Sequence, residues 1–228
     1  MKTSTLFKWF MTTSIVILVV GCAATGSNGK GGNGDGQSID LTQYTKTVIS
    51  QDQKYSLAYM WHEEKLARDV YLELNKINPA NQLENIANNS ETKHMELVQN
   101  LVEWYDINIT DLANYEIEYS ASELTNMATG KFAIEPIQEL YDTLYDYGLP
   151  STQASLEVGC MVEVTDIDDL DKYIDEASGN QALIDTFNIL RNGSYKHYWA
   201  FDKGLVNMGV ATGCCSLGDK YCHTEYPK

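Results

Sequence analysis

Five side chains of metal-binding type stand at helical spacing on otherwise apolar stripes of this 228-residue chain: Glu64, the pair Glu91 and His94, Glu163, and His197. Carboxylates and imidazoles together ligate iron, manganese or zinc, so the chemistry on offer is metal binding and whatever a held ion can do. The first stripe runs Leu57, Met60, Glu64, Ala67, Tyr71, Leu74, stepping by three or four residues as one helix face does. The second, Leu83, Ala87, Glu91, His94, Val98, Leu101, Tyr105, carries two polar groups three apart, which project from one face on adjacent turns. The third, Leu156, Cys160, Glu163, Ile167, Leu170, Ile174, has a single carboxylate. The fourth, Leu183, Phe187, Leu190, Ser194, His197, Phe201, Leu205, repeats the two-residue step as Ser-x-x-His.

Helices paired by short turns are needed to bring these groups together. Breaks fall at Asn78-Pro79-Ala80-Asn81 and Ser178-Gly179-Asn180. From the first turn, Glu64 lies about 15 residues back, with Glu91 and His94 about 12 and 14 forward. From the second, Glu163 lies about 16 back, with Ser194 and His197 about 15 and 18 forward. Antiparallel neighbours therefore bring all five groups to one depth, as two pseudo-equivalent hairpins. Between the hairpins runs a long connection, Asp106 to Pro150, with a helix signal through Ile134, Ile137, Leu140, Tyr141 and Leu144. Gly148-Leu149-Pro150-Ser151 closes that helix, and Ser151 is an N-cap for the next.

These residues resemble the ferritin-like superfamily, whose dinuclear sites take one Glu from each of two helices and a Glu-x-x-His pair from each of the other two. The run EEKLARDVY is similar to the rubrerythrin branch, and SETKHM matches the paired motif. WHEEKLARDVY, NNSETKHM, VGCMVEVTDIDDL and NGSYKHYWAF together resemble a bacterial and archaeal ferritin-like family known only as a domain of unknown function, over roughly Ser56 to Met208. The resemblance implies an all-α, ferritin-like four-helix bundle, of the rubrerythrin and bacterioferritin kind, with a long crossover carrying an extra helix. It also implies a non-haem site of one or two ions, iron or manganese with zinc as an option. Glu91 and Glu163 would bridge or chelate, Glu64 would be terminal, and His94 and His197 would bind one ion each. Ser194 departs from the pattern where the fourth helix would supply a Glu. Asp166, one turn from Glu163, can restore the missing charge.

An arginine network is the competing account, since buried carboxylates need compensation and Arg68 and Arg191 lie one turn from Glu64 and Ser194. Glu63 is turned about 100° from Glu64 and reads as solvated or capping. Glu157 is likewise off its stripe. Tyr71 reads as core, with a phenol near the site as the alternative.

The chain divides at 1–21, 22–40, 41–210 and 211–228. Lys2 and Lys8 precede the apolar run Ile15 to Val20, then Gly21 and Cys22, which reads as a cleaved secretory signal too short to span a bilayer. Val19-Val20-Gly21-Cys22 resembles a lipobox, implying lipidation of Cys22 and membrane attachment. Ala23 lacks the inner-membrane retention Asp, so the expected address is the cell envelope, the outer membrane facing the periplasm in a diderm cell. A Gly, Ser and Asn tether follows, leaving about 185 residues for one domain and a Cys-rich tail. Removing the signal takes away two lysines and no acid, so 16 basic residues become 14 against 32 acidic, a balance of -18. Nucleic acid is excluded as a partner on that charge. Cys160, Cys214, Cys215 and Cys222 are an even set in an oxidising compartment, so disulfides are expected, with the tail CCSLGDKYCH and His223 as an alternative ligand source.

The expected protein is an envelope-anchored metal centre performing oxygen or peroxide redox chemistry on a small oxidant. A non-catalytic metal store and a structural lipoprotein with a degenerate site are the competing classes.

Overall fold

The computed structural model describes residues 38–109, 112 and 120–228. The signal sequence, Cys22 and the tether as far as Gln37 lie outside the described residues. Among the described residues the protein is all-α, with no strand.

After a short 3-10 turn at Leu41–Gln43, α1 runs Gln51–Ile77. Its start is set by Ser50, whose hydroxyl accepts from the Gln53 amide while Gln53 reaches back to the Ser50 amide, so two otherwise orphaned donors are satisfied. The expected Asn-Pro break follows. A continuous helical segment then comprises α2 (Asn81–Asn85), a π-helical turn (Ile86–Glu91) and α3 (Thr92–Tyr105), ending on left-handed Asp106. In the connection, α4 (Ala121–Thr125) is an element the periodicity did not signal, and α5 (Glu135–Gly148) is the expected extra helix. Next, α6 (Thr152–Glu176) starts on Ser151, whose hydroxyl accepts from the Ala154 amide as expected. Gly179, at φ +85°, turns the chain into α7 (Gln181–Asn207), which Asn180 caps.

The long segments pack in a ring, α1 on α3, α3 on α7, α7 on α6 and α6 on α1, with α5 laid outside against α1 and α6. Their buried apolar side chains form two clusters. One holds Val70, Tyr71, Leu74, Leu83, Leu156 and Phe201. The other holds Leu57, Met60, Val98, Leu101, Leu170, Leu183 and Phe187. The polar members of the same stripes fall between them, so each helix crosses from one dry half to the other through a single polar layer.

Outside that layer, the crossover is tied down by a buried ion pair. Lys65 and Asp69, one turn apart on α1, are both buried and bonded to each other. Lys65 also donates to the Lys131 carbonyl and lies 4.3 Å from the centre of the Phe132 ring, while Asp69 accepts from the Gly130 amide at 3.0 Å. Both cysteine pairs are disulfides. Cys160–Cys214 fastens the tail to α6, and Cys215–Cys222 closes a loop within it. With all four cysteines so bonded, the tail thiolates are not free to serve as metal ligands.

Candidate metal centre

Glu91 enters the polar layer from the end of the π turn. The wider turn frees carbonyls that a regular helix would use, and local side chains satisfy them: Asn88 donates to Glu84, Asn89 to Asn85 and Thr92 to Ala87. That polar run, Asn88-Asn89-Ser90, is the local mark of the turn in the sequence, and the regular apolar spacing passes over it. Such turns recur at functional sites because they re-aim side chains. Here it turns both Ser90 and Glu91 inward, and both are buried.

Around Glu91 the other expected groups converge. His94 Nδ1 is 3.0 Å from Glu91 Oε2 and 3.2 Å from Glu64 Oε2. His197 Nδ1 is 3.0 Å from Glu91 Oε1 and 3.4 Å from Glu163 Oε2. The imidazole rings lie 5.5 Å apart, 29° from parallel. All five residues are at most 5% exposed. They form two groups of buried Glu and His side chains that could hold a metal ion, Glu64–Glu91–His94 and Glu91–Glu163–His197, each with its ligand atoms within 4.8 Å of one another. Glu91 belongs to both. Of the two carboxylates expected to bridge or chelate, only Glu91 faces both histidines, whereas Glu163 faces His197 alone.

The spacing fits ligation. Metal–ligand bonds of about 2.1 Å put neighbouring donor atoms about 3.0 Å apart in octahedral geometry and about 3.4 Å apart in tetrahedral geometry. The four distances above span that range. Glu91 Oε1 and His197 Nδ1, 3.0 Å apart, are nonetheless not aligned as a hydrogen bond, and both are buried without another partner, as is Glu64 Oε1. His197 Nε2 meets Ser90 Oγ at 2.7 Å, which orients the ring so that Nδ1 faces the carboxylates. Tyr71, fully buried, donates to Glu163 Oε1 at 2.6 Å. It is thus both core and a phenol at the site.

Neither arginine of the competing account reaches this layer: Arg68 pairs with Asp69, and Arg191 with Asp171 and Asn188. Asp166 is buried and accepts from Ser194 Oγ, but it belongs to neither group of converging atoms. Glu63 departs from the expectation of a solvated or capping role. It is buried, and burial together with the nearby Asp169 carboxylate pushes its pKa up, because α6 covers that face of α1. Glu157 lies off the site, accepting from Tyr147 and Gln153. Gly193 carries no stripe signal, yet a Cβ there would stand 2.5 Å from His94 Nε2. Only a glycine lets α7 pass that close to the ring.

Protons stand in for cations in the metal-free protein. Burial pushes Glu64 up to about 7, against the opposing pull of His94. Burial acts the same way on Glu91 but is outweighed by the two histidines, which hold it well below the usual carboxylate range. Burial opposes the charge on His197, yet Glu91 and Glu163 raise it to about 10, and Glu64 and Glu91 raise His94 in the same way. Burial and the charges of Glu64 and Glu163 push Asp166 up. A metal ion would displace these protons, which is why affinity at such sites weakens as pH is lowered.

A family model described as an uncharacterized protein domain, DUF2202, matches residues 52–221. The uncharacterized protein MJ0754 of Methanocaldococcus jannaschii is 35% identical over 169 residues, covering 74% of this chain and 83% of that protein. A crystal structure of hypothetical protein MJ0754 from Methanococcus jannaschii matches with a TM-score of 0.63 at 34% identity, over 73% of this chain and 86% of that one. The match spans α1 to the C-terminal tail and takes in every converging residue of the polar layer, and the chain therefore belongs to the DUF2202 family.

Proposed function

We propose that the protein is a ferritin-like four-helix bundle holding a dinuclear non-haem metal centre, tethered to the cell envelope through Cys22. The observation that carries this reading is the sharing of Glu91 by two buried carboxylate–histidine groups. Glu64 and His94 would hold one ion and Glu163 and His197 the other, with Glu91 spanning both. Iron or manganese, when bound, would supply redox chemistry toward oxygen or peroxide. The chain's own part is positional. Two apolar clusters keep bulk water from the layer, Ser90 holds the His197 ring by its contact with Nε2, and Tyr71 steadies Glu163 by donating to it. Where a second bridging carboxylate would stand, Ser194 instead holds Asp166 by a hydrogen bond. By ion counting, three carboxylates leave two divalent ions with a net charge of about +1, so a small anion is the expected third party. The two disulfides support an address outside the cytosol, where thiols are oxidised.

Metal analysis of the purified chain from residue 38 onward tests the reading. About two equivalents of iron or manganese are expected. Glu91→Gln should lose both, whereas His94→Ala and His197→Ala should each lose about one. Bound metal without oxidase or peroxidase activity would identify a store, and a fold indifferent to chelators and free of metal would identify a structural lipoprotein.

A further inference from the structure

Between α1 and α3 runs an open groove of about 270 Å³. Trp61 and Arg68 form its α1 wall, Thr92, Met95 and Gln99 its α3 wall, and Thr125 of α4 stands at its edge. Steps of three, four and seven residues place the members of each wall on one face of their helix. Trp61 is 3% exposed and Met95 partly buried, so an indole and a thioether make the floor. Arg68 is the one cation among the lining residues. Its Nε and Nη2 donate to Asp69 Oδ1, which leaves three of the five guanidinium N–H groups with no protein acceptor among the described residues. Asp69 is shared with Lys65, so two cations face one carboxylate. The one acid of the lining is Glu96, exposed at the rim.

From this geometry we infer that the groove binds a small aromatic monocarboxylate, its ring against Trp61 and Met95 and its carboxylate on Arg68. A space of about 150 Å³ is enough for benzene, so this groove takes a single ring together with its polar group. Indole and thioether both favour an aromatic partner. The planar guanidinium matches a carboxylate, and the second positive charge that Lys65 brings to Asp69 favours an anion over a neutral acceptor. None of the lining residues belongs to the two carboxylate–histidine groups, so the site is separate from the metal centre and needs no ion. Its walls nonetheless adjoin that centre along the chain. Thr92 and Met95 directly follow Glu91 and His94, and Trp61 and Arg68 stand about one turn to either side of Glu64.

The probe is 4-fluorobenzoate, added to the metal-free full-length protein in detergent and followed by fluorine NMR, with the detergent alone as background. A dissociation constant of about 1 mM is expected for a ligand of this size. Arg68→Gln should weaken binding at least about fivefold. Glu96→Gln should strengthen it about twofold, an effect that added salt removes. Asn100→Trp, at an exposed rim position that does not threaten the fold, should fill the groove and abolish binding. The uncharged 4-fluorobenzyl alcohol should bind at least about fivefold more weakly than the acid. No response from wild-type protein up to about 20 mM acid would overturn the site, as would binding that survives Asn100→Trp. Equal affinity for the alcohol, or unchanged affinity in Arg68→Gln, would overturn the pairing of carboxylate with Arg68 and the proposed ligand class with it. Each of these failures would leave the metal-centre reading standing, because no ion takes part in the measurement.

Discussion

Gly193 acts on the polar layer directly, and His62 acts on the stability of the fold. Gly193 gives His94 room, since any side chain there would overlap the ring. Gly193→Ala should therefore cost about 1–3 kcal/mol by overpacking and halve the metal content, as read by denaturant melts and metal analysis of one preparation. His62 is buried two residues before Glu64 and donates through Nε2 to the Ile109 carbonyl at 3.1 Å. Burial lowers its pKa from 6.5 to about 4, and the Ile109 bond only partly offsets that. Between those values the unfolded chain binds more protons than the folded one, so stability is fully present above about 6.5 and is lost as pH falls toward 4. The loss is worth about 3 kcal/mol. Melts of wild type and His62→Gln from pH 7 to pH 4 should converge, because the variant lacks this acid-side loss.

At the scale of elements, the apolar periods and the two turn signals are written locally, so the stripes and their breaks are legible in sequence. The π turn is not. Its register depends on where Glu91 must meet groups from α1, α6 and α7, and a stripe drawn at regular spacing passes through it unchanged. The tail is also decided by tertiary contact, since four cysteines allow three pairings and only the approach of the tail to α6 selects Cys160–Cys214. That bond joins residues 54 apart, so the Cys160→Ala, Cys214→Ala double variant should lose about 4 kcal/mol by loop-closure entropy. The corresponding loss for Cys215–Cys222, which joins residues 7 apart, should be smaller. Denaturant midpoints of the two double variants settle the order.

For the molecule as a whole, no helix among the described residues is long and apolar enough to cross a membrane. Attachment is proposed to depend on Cys22 and its lipid. Cys22→Ser in the full-length chain should move the protein from the membrane fraction to the soluble one, by immunoblot, without changing the metal content of the domain. Unchanged fractionation would sink the lipid-anchor proposal and leave the metal centre untouched.

Sequence alone determined the all-α class, the breaks between the paired helices and the five residues that share one layer, because period and turn chemistry act over a few neighbouring residues. It also marked Ser194 as the odd member of the set. Tertiary structure decided that Glu91 and not Glu163 serves both histidines, that Arg68 and Arg191 turn away to Asp69 and Asp171, and that Glu63 is buried against Asp169. Each of those outcomes depends on distances between helices, which the spacing of residues along any one helix does not contain.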